Sequence, residues 1–160
     1  MKSAIYPGTF DPMTFGHLDI IKRSANIFDE VIVSVLDNKE KTPLFSLEER
    51  VNIINKAICD LPNVKVEAFE GLLWDFCQSK GCNVVVKGLR NSEDFEYENS
   101  QAALNSIISK GELETIYLGS RQSLSIVSST NAKALASLNV DLKEFVPDFV
   151  EELLKEKLVK

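Results

Sequence analysis

Residues 6–17 read YPGTFDPMTFGH, and they decide the fold because they separate the first strand pattern from the first helix pattern. Residues 3–6 form a short and largely apolar run, as in a strand. Residues 17–28 carry apolar side chains at helical spacing. The prolines restrict the shape of the intervening loop, and the glycines let other groups approach its backbone closely. Because the helix begins near Gly16, its free N–H groups face the loop, which predicts an anion site there.

The rest of the chain alternates strand and helix patterns in the same way. Further strands are predicted at residues 30–36, 64–69, 83–87 and 114–118, and further helices at residues 46–59, 72–80, 93–109, 129–138 and 148–158. Ser46 and Glu49 form a capping box, and Ser129 or Thr130 is expected to cap the fifth helix. This alternation predicts one α/β domain over residues 1–160, with a mainly parallel five-stranded sheet and helices on both faces.

The composition argues against two classes of partner. The chain has 160 residues, of which 44% are apolar and 26% are charged, and its net charge is −6. Polynucleotide binding draws most of its affinity from clustered lysine and arginine, so no nucleic-acid partner is expected. No apolar run is long enough to cross a bilayer and no signal peptide is visible, so we expect a cytoplasmic protein without a membrane partner. The three cysteines are expected to be reduced thiols.

Polar motifs follow the other predicted strands, where ligands of parallel sheets bind. Lys41 lies in a charged loop, residues 87–90 read KGLR, an acidic run occupies residues 94–98, and residues 123–130 read SLSIVSST. Cations and hydroxyl groups at these places would suit a phosphorylated ligand. Each motif also has an ordinary explanation, namely a solvated lysine, an acidic first helical turn or a serine-rich cap. A lone histidine such as His17 is likewise most often a surface or capping residue.

The loop at residues 6–17 is neither a Walker A motif nor a G-x-G-x-x-G fingerprint. Its TFGH, residues 14–17, resembles the T/H-x-G-H signature of nucleotidyltransferases. With YPGTFDP before it, the segment is similar to that of bacterial phosphopantetheine adenylyltransferases, and the four motifs follow in that family's order from about residue 4 to residue 159. Three positions depart from the residues usual in the family: Phe15, Lys87 and Leu124.

The resemblance implies a Rossmann-like fold and transfer of the adenylyl group of ATP to 4′-phosphopantetheine in coenzyme A biosynthesis. It implies catalytic roles for His17, which would stabilise the transition state, and for Lys41 and Thr9. The implied ATP-binding residues are Thr9, Phe10, His17, Gly88, Leu89, Arg90, Glu98, Leu124, Ser125, Ile126, Val127, Ser128, Ser129 and Thr130. The implied phosphopantetheine-binding residues are Thr9, Lys41, Leu73 and Lys87. A homohexamer is implied as well.

The implied reaction is a direct in-line displacement that yields dephospho-coenzyme A and pyrophosphate. Because the acceptor phosphate is already a dianion, no strong general base is required, and catalysis rests on positioning and charge stabilisation. Mg²⁺ is expected to be held through phosphate oxygens and water, without protein metal ligands. Two alternatives stay open. One is another T-x-G-H nucleotidyltransferase, acting on nicotinate mononucleotide or glycerol phosphate, and the other is a catalytically silent nucleotide-sensing module.

Overall fold

A computed structural model provides the structure of the chain, and it describes residues 1–37 and 42–159. Five strands and six helices alternate in this part of the chain. The strands are β1 (Ser3–Gly8), β2 (Glu30–Leu36), β3 (Val64–Phe69), β4 (Val84–Leu89) and β5 (Glu114–Gly119). The helices are α1 (Phe15–Ile27), α2 (Leu47–Ala57), α3 (Leu73–Ser79), α4 (Ser92–Ile108), α5 (Ser129–Ser137) and α6 (Asp148–Leu158).

The strands form one parallel sheet in the order β3-β2-β1-β4-β5. The chain winds outward from β1 to β3 and then crosses back to β4, so the winding reverses between β1 and β4. Such a reversal leaves a crevice beyond the carboxyl ends of the two strands, which is where open α/β sheets bind ligands. The predicted α/β fold with a five-stranded parallel sheet is therefore confirmed.

Alternate residues of the central strands pack on opposite faces of the sheet. Ala4 and Tyr6 of β1 belong to a large core that is covered by α1, α2, α5 and α6, whereas Ile5 belongs to a smaller core that is closed by α3. The central strands are apolar on both faces because helices cover both. Each fully buried aliphatic side chain contributes about 1.5–3 kcal/mol to this packing. Trp74 and Phe76 of α3 pack against the smaller core.

The strand boundaries differ from the predicted ones at the carboxyl ends. β1 continues through Pro7 and Gly8 because both pair with β2. β4 continues through Gly88 and Leu89 because both pair with β5. The sequence placed these residues in loops, since proline and glycine are typical of turns, but pairing between neighbouring strands outweighs that preference here. Part of the predicted loop after the fourth strand is therefore strand.

Side-chain caps set where the helices begin. The Ser46 Oγ accepts the Glu49 N–H at 3.2 Å, and the Glu49 Oε2 accepts the Ser46 N–H at 2.7 Å, so the predicted capping box is present. The expected cap of α5, Ser129 or Thr130, is wrong, because the cap is Ser128. The Ser128 Oγ accepts the Asn131 N–H at 3.1 Å.

Across residues 1–37 and 42–159, no helix combines the length and the apolar character that crossing a membrane requires. All three cysteines are free, with Cys59 exposed and Cys77 and Cys82 buried. Burial raises the pKa of Cys77 to about 12, so this thiol is protonated at neutral pH and a poor nucleophile.

Candidate active site

A pocket of about 280 Å³ opens where the winding of the sheet reverses. Its wall is formed by the end of β1, the start of α1, the end of β4, part of α4 and the start of α5. The predicted site residues that it brings together are His17, Lys87, Gly88, Arg90, Glu98 and residues 127–130. Motifs that are far apart in the sequence therefore meet at one place.

The start of α1 holds His17 through a capping box of an unusual kind. Thr14 is the N-cap residue, and its Oγ1 accepts the His17 N–H at 3.4 Å. In return, the His17 Nδ1 accepts the Thr14 N–H at 3.1 Å, in the role that a glutamate or glutamine oxygen has in the common capping box. Because Nδ1 accepts a hydrogen bond, the proton of the neutral ring is on Nε2.

His17 is neutral at physiological pH. Burial, with a smaller contribution from the positive charge of Arg90, lowers the pKa of His17 to about 4. The ring also makes an edge contact with the ring of Phe10, at a centroid distance of 5.0 Å. His17 is thus a neutral N–H donor of fixed orientation in the wall of the pocket, as electrostatic stabilisation of a developing charge requires.

The loop between β1 and α1 turns through Phe10, which has a left-handed backbone with φ of 51°. Such a conformation costs a non-glycine residue about 1–2 kcal/mol. The Phe10 ring is only 2% exposed and contacts the rings of Tyr6 and His17, and this burial offsets the cost. Gly8 leaves room for the ring, since a Cβ there would lie 3.0 Å from it.

The starts of α1 and α5 lie side by side at the pocket. A Cβ at Gly16 would come within 3.2 Å of the Val127 carbonyl oxygen, so the glycine permits this close approach. The Ser129 hydroxyl donates to the Pro12 carbonyl oxygen at 2.7 Å and links α5 to the loop before α1. Two helix starts, each with a positive dipole end, therefore converge on one pocket, which suits a polyanion.

Two of the cations predicted for the site, Lys87 and Arg90, are each paired with a carboxylate. The Nζ of Lys87 lies 2.9 Å from the Oε2 of Glu98. Arg90 donates to both carboxylate oxygens of Asp94, from Nε at 2.9 Å and from Nη2 at 3.1 Å. A phosphate at this wall would compete with these carboxylates for the same donors.

Several predicted residues do not form the pocket wall. Those within the described chain are Thr9, Phe10, Leu73, Leu89, Leu124, Ser125 and Ile126. Leu73 packs against the smaller core, and Ile126 is 66% exposed. The Thr9 carbonyl oxygen accepts a hydrogen bond from Arg50 at 2.8 Å. Lys41, the predicted acceptor lysine, lies outside the residues that the structure describes.

The lining residues that the sequence interpretation gave no binding role include Tyr6, Thr14 and Asp94. The signal for Thr14 is the T-x-x-H spacing, which is a capping box once histidine is counted as an acceptor. The signal for Asp94 is that it lies four residues after Arg90, a spacing at which the two opposite charges can form an ion pair. Tyr6 has no local signal, because its burial depends on the packing of β1. That burial raises the pKa of Tyr6, so the phenol keeps its proton.

Two comparisons relate the chain to known proteins. The fold matches the crystal structure of a protein from Vibrio parahaemolyticus that is described as a nicotinate-nucleotide adenylyltransferase. The TM-score is 0.71 at 20% sequence identity, and the match covers 99% of this chain and 95% of that one. A family model described as cytidylyltransferase-like matches residues 5–135, which contain all the residues of the pocket wall. The chain belongs to the cytidylyltransferase-like family.

Proposed function

We propose that this protein transfers the adenylyl group of ATP to 4′-phosphopantetheine, giving dephospho-coenzyme A and pyrophosphate. The observation that carries the transfer chemistry is the neutral, oriented His17 beside two converging helix starts. This combination offers one N–H donor for an α-phosphoryl oxygen and backbone N–H groups for the remaining phosphates. The identity of the acceptor comes from the sequence resemblance.

The ATP side of the site would use the wall formed by α1, α5 and the end of β4. The helix start at Ser128 and Thr130 would bind the departing pyrophosphate together with Arg90. His17 would donate from Nε2 to an α-phosphoryl oxygen as negative charge increases there. Glu98 would then contact the nucleoside, as the resemblance implies.

The acceptor side would use Lys41, Lys87 and Thr9. A phosphate oxygen of 4′-phosphopantetheine attacks the α-phosphorus of ATP, the new P–O bond forms, and the bond to the β-phosphate oxygen breaks. The leaving group takes the electron pair and departs as pyrophosphate. No proton has to be removed from the acceptor, because its phosphate is already a dianion. Lys87 would exchange its contact with Glu98 for the acceptor phosphate.

We propose that Mg²⁺ arrives with ATP as part of the substrate. Within residues 1–37 and 42–159 no group of three or more histidine, cysteine, aspartate or glutamate side chains could hold a metal ion. The carboxylates at the wall, Asp94 and Glu98, contact Arg90 and Lys87 instead. Oxygen atoms of the triphosphate and of water supply the ligands that Mg²⁺ prefers.

Pyrophosphate release with a panel of acceptors tests this proposal. The protein is mixed with MgATP and, separately, with 4′-phosphopantetheine, nicotinate mononucleotide or glycerol phosphate, and a reaction without acceptor is the control. Release only with 4′-phosphopantetheine is the expected result. Release only with nicotinate mononucleotide would assign the second candidate, which the structural relative from Vibrio parahaemolyticus favours by its description. No release with any acceptor would favour a nucleotide-sensing module.

The resemblance also leads us to propose a homohexamer in the cytoplasm. No residue of α4 is buried, and its exposed large apolar side chains are Phe95, Tyr97, Leu104 and Ile107. An exposed apolar surface of this kind is typical of protein contacts. Light scattering on the purified protein would measure the number of chains in the particle, and a monomer would contradict this part of the proposal.

A further inference from the structure

Asp11, in the loop between β1 and α1, joins two distant segments of the chain. Its side chain is buried, with 6% of the residue exposed. The Oδ1 accepts the Phe45 N–H at 2.9 Å, and the Oδ2 accepts the Leu44 N–H at 3.0 Å. The same Oδ2 receives the Nζ of Lys133 of α5 at 2.8 Å. One carboxylate therefore connects its own loop to the segment before α2 and to α5.

Asp11 stays ionised because these partners outweigh its burial. Burial alone would raise the pKa of the Asp11 carboxyl, but the Lys133 ammonium and the Leu44 and Phe45 N–H groups hold this pKa below its usual range. A buried carboxylate without partners would be costly, so the three donors are what permit the charge at this position.

A buried cation connects the same two loops from the other side. Arg50 of α2 is 1% exposed and donates to the carbonyl oxygens of Thr9 at 2.8 Å, Leu36 at 3.0 Å and Phe45 at 3.2 Å. Phe45 is thus held through its N–H by Asp11 and through its carbonyl oxygen by Arg50. The segment before α2 is fixed to the loop after β1 at two separate points.

These connections join α5, which begins at the pocket, to the segment before α2, although neither Asp11 nor that segment is part of the pocket wall. Leu44 and Phe45 come soon after Lys41, the predicted acceptor lysine, in the sequence. Lys133 belongs to α5, whose first residues line the ATP side of the pocket. Any influence of Asp11 on the reaction must therefore pass through the segments that it holds.

We propose that Asp11 is a positioning residue that fixes the acceptor-side segment before α2 relative to the ATP-side helix starts. Its kinetic consequence rests on the proposed function, because it requires that an acceptor phosphate bind on the side of Lys41. Its structural consequence does not, because the hydrogen bonds of Leu44 and Phe45 can be followed without substrate. Small displacements of reacting groups reduce rates strongly, so the fixation matters for in-line attack.

Asp11→Asn is the first test. The amide keeps one oxygen, but its NH₂ group cannot accept the hydrogen bonds that converge on Asp11. We expect the KM for 4′-phosphopantetheine to rise about tenfold or more, with a smaller change in the KM for ATP. A merely structural role would lower the active fraction and leave both KM values unchanged, and that outcome would overturn the proposal.

Lys133→Met is the matched second variant. It removes the link to α5 and leaves the two backbone hydrogen bonds of Asp11 in place. We expect the KM for the acceptor to stay near the wild-type value while the KM for ATP rises about threefold. Lys65→Met, which removes an exposed ion pair with Glu30 at the opposite end of the sheet, should change neither constant.

Hydrogen exchange at the amides of Leu44 and Phe45 gives a readout that needs no substrate. In Asp11→Asn at least one of these two amides should exchange about tenfold faster or more, because the single remaining oxygen cannot replace both carboxylate oxygens. In Lys133→Met and Lys65→Met both amides should keep most of their protection. Unchanged protection in Asp11→Asn would overturn the proposal. If the wild-type protein released no pyrophosphate with any acceptor, the proposed function would fail, and the exchange result would still decide whether Asp11 fixes this segment.

Discussion

The two halves of the sheet are built differently. Four residues in a row of β1 and five of β2 are buried, whereas no residue of β5, which is an edge strand, is buried. α1 and α2 each bury residues against the sheet, whereas α4, which spans 17 residues, buries none. The pocket lies at the boundary, with His17 from the well-packed half and Arg90 and Glu98 from the lightly packed half.

Because of this difference, the two halves of the sheet contribute differently to the site. The well-packed half fixes the orientation of the donor at His17 through a capping box and a buried ring contact. The lightly packed half supplies the cations, each paired with a carboxylate that a ligand can displace. Segments with few buried contacts open and rearrange at low cost, so we expect adjustments on binding to occur mainly in α4 and the end of β4.

The largest effect is expected at the donor of the well-packed half. His17→Ala should lower kcat about a hundredfold to a thousandfold, which corresponds to about 3–4 kcal/mol of transition-state stabilisation. ATP should still bind, because the helix starts that we propose bind its phosphates remain. Steady-state pyrophosphate release and calorimetric titration with ATP would measure the two quantities.

His17→Gln is the control for this prediction. Its side-chain amide can accept the Thr14 N–H, so the start of α1 and the stability of the protein should be kept. Near-normal turnover in His17→Ala would sink the assignment of His17 as the donor. Unfolding of His17→Ala, beside a His17→Gln variant that stays folded and keeps near-normal turnover, would instead mean that the ring matters only for the helix start.

Core substitutions in the two halves should give very different stability losses. Ile54 of α2 is fully buried, and Ile54→Ala should lower the free energy of unfolding by about 2–5 kcal/mol. Ile107 of α4 is 76% exposed, and Ile107→Ala should change the stability of the isolated chain by less than about 0.5 kcal/mol. Urea unfolding would measure both, and similar losses would contradict the comparison of the halves.

A smaller effect is expected at the cation of the lightly packed half. Arg90→Lys keeps the charge but loses the planar fork that donates to two oxygens, so kcat/KM for ATP should fall about tenfold. Arg121→Lys is the matched control, since Arg121 is exposed and pairs with Asp19 away from the pocket wall. A loss of the same size in both variants would mean that Arg90 contacts no phosphate.

The smallest effect concerns the pH dependence that His17 adds to the activity. Burial and Arg90 lower its pKa to about 4, so the ring should not titrate between pH 6 and 8 and should add no pH dependence to kcat there. Since the unfolded chain binds this proton with a pKa of about 6.5, the contribution to stability is complete above that pH and is lost as the pH falls toward 4. His17 is the only histidine, so NMR of the labelled ring can follow it without ambiguity. A midpoint near 6.5 in the free protein would refute the prediction.

Local patterns in the sequence predicted most of the fold. Alternating strand and helix patterns located the five strands and six α-helices of residues 1–37 and 42–159 but not the 3₁₀ turn at Gln122–Leu124, and the capping box at Ser46 was correctly identified. The errors lie where pairing between strands determines where a strand ends. Gly88 and Leu89, for example, are strand residues although the sequence there is typical of a turn. The cap of α5 is Ser128, and a run of adjacent hydroxyl residues does not reveal which of them turns the backbone.

Part of the site could also be predicted from local patterns in the sequence. His17, Arg90 and the residues at the start of α5 follow strands in the sequence, and parallel strands place their carboxyl ends at one edge. Asp11 and Lys133 are 122 positions apart, and no local pattern indicates that they form a pair. The ring nitrogen of His17 that carries the proton could not be predicted either, because it depends on which nitrogen accepts the Thr14 N–H.

The hydrogen bond between Thr14 and His17 has a consequence for protein engineering. An N-cap threonine and a histidine at the third helical position are sufficient, within a single helical turn, to choose the tautomer of an imidazole and to aim it. No distant carboxylate is needed, unlike in sites where an aspartate orients the ring. The unit is therefore portable. A designer could install a preorganised neutral donor at the start of other helices by changing two side chains and providing an apolar ring beside them.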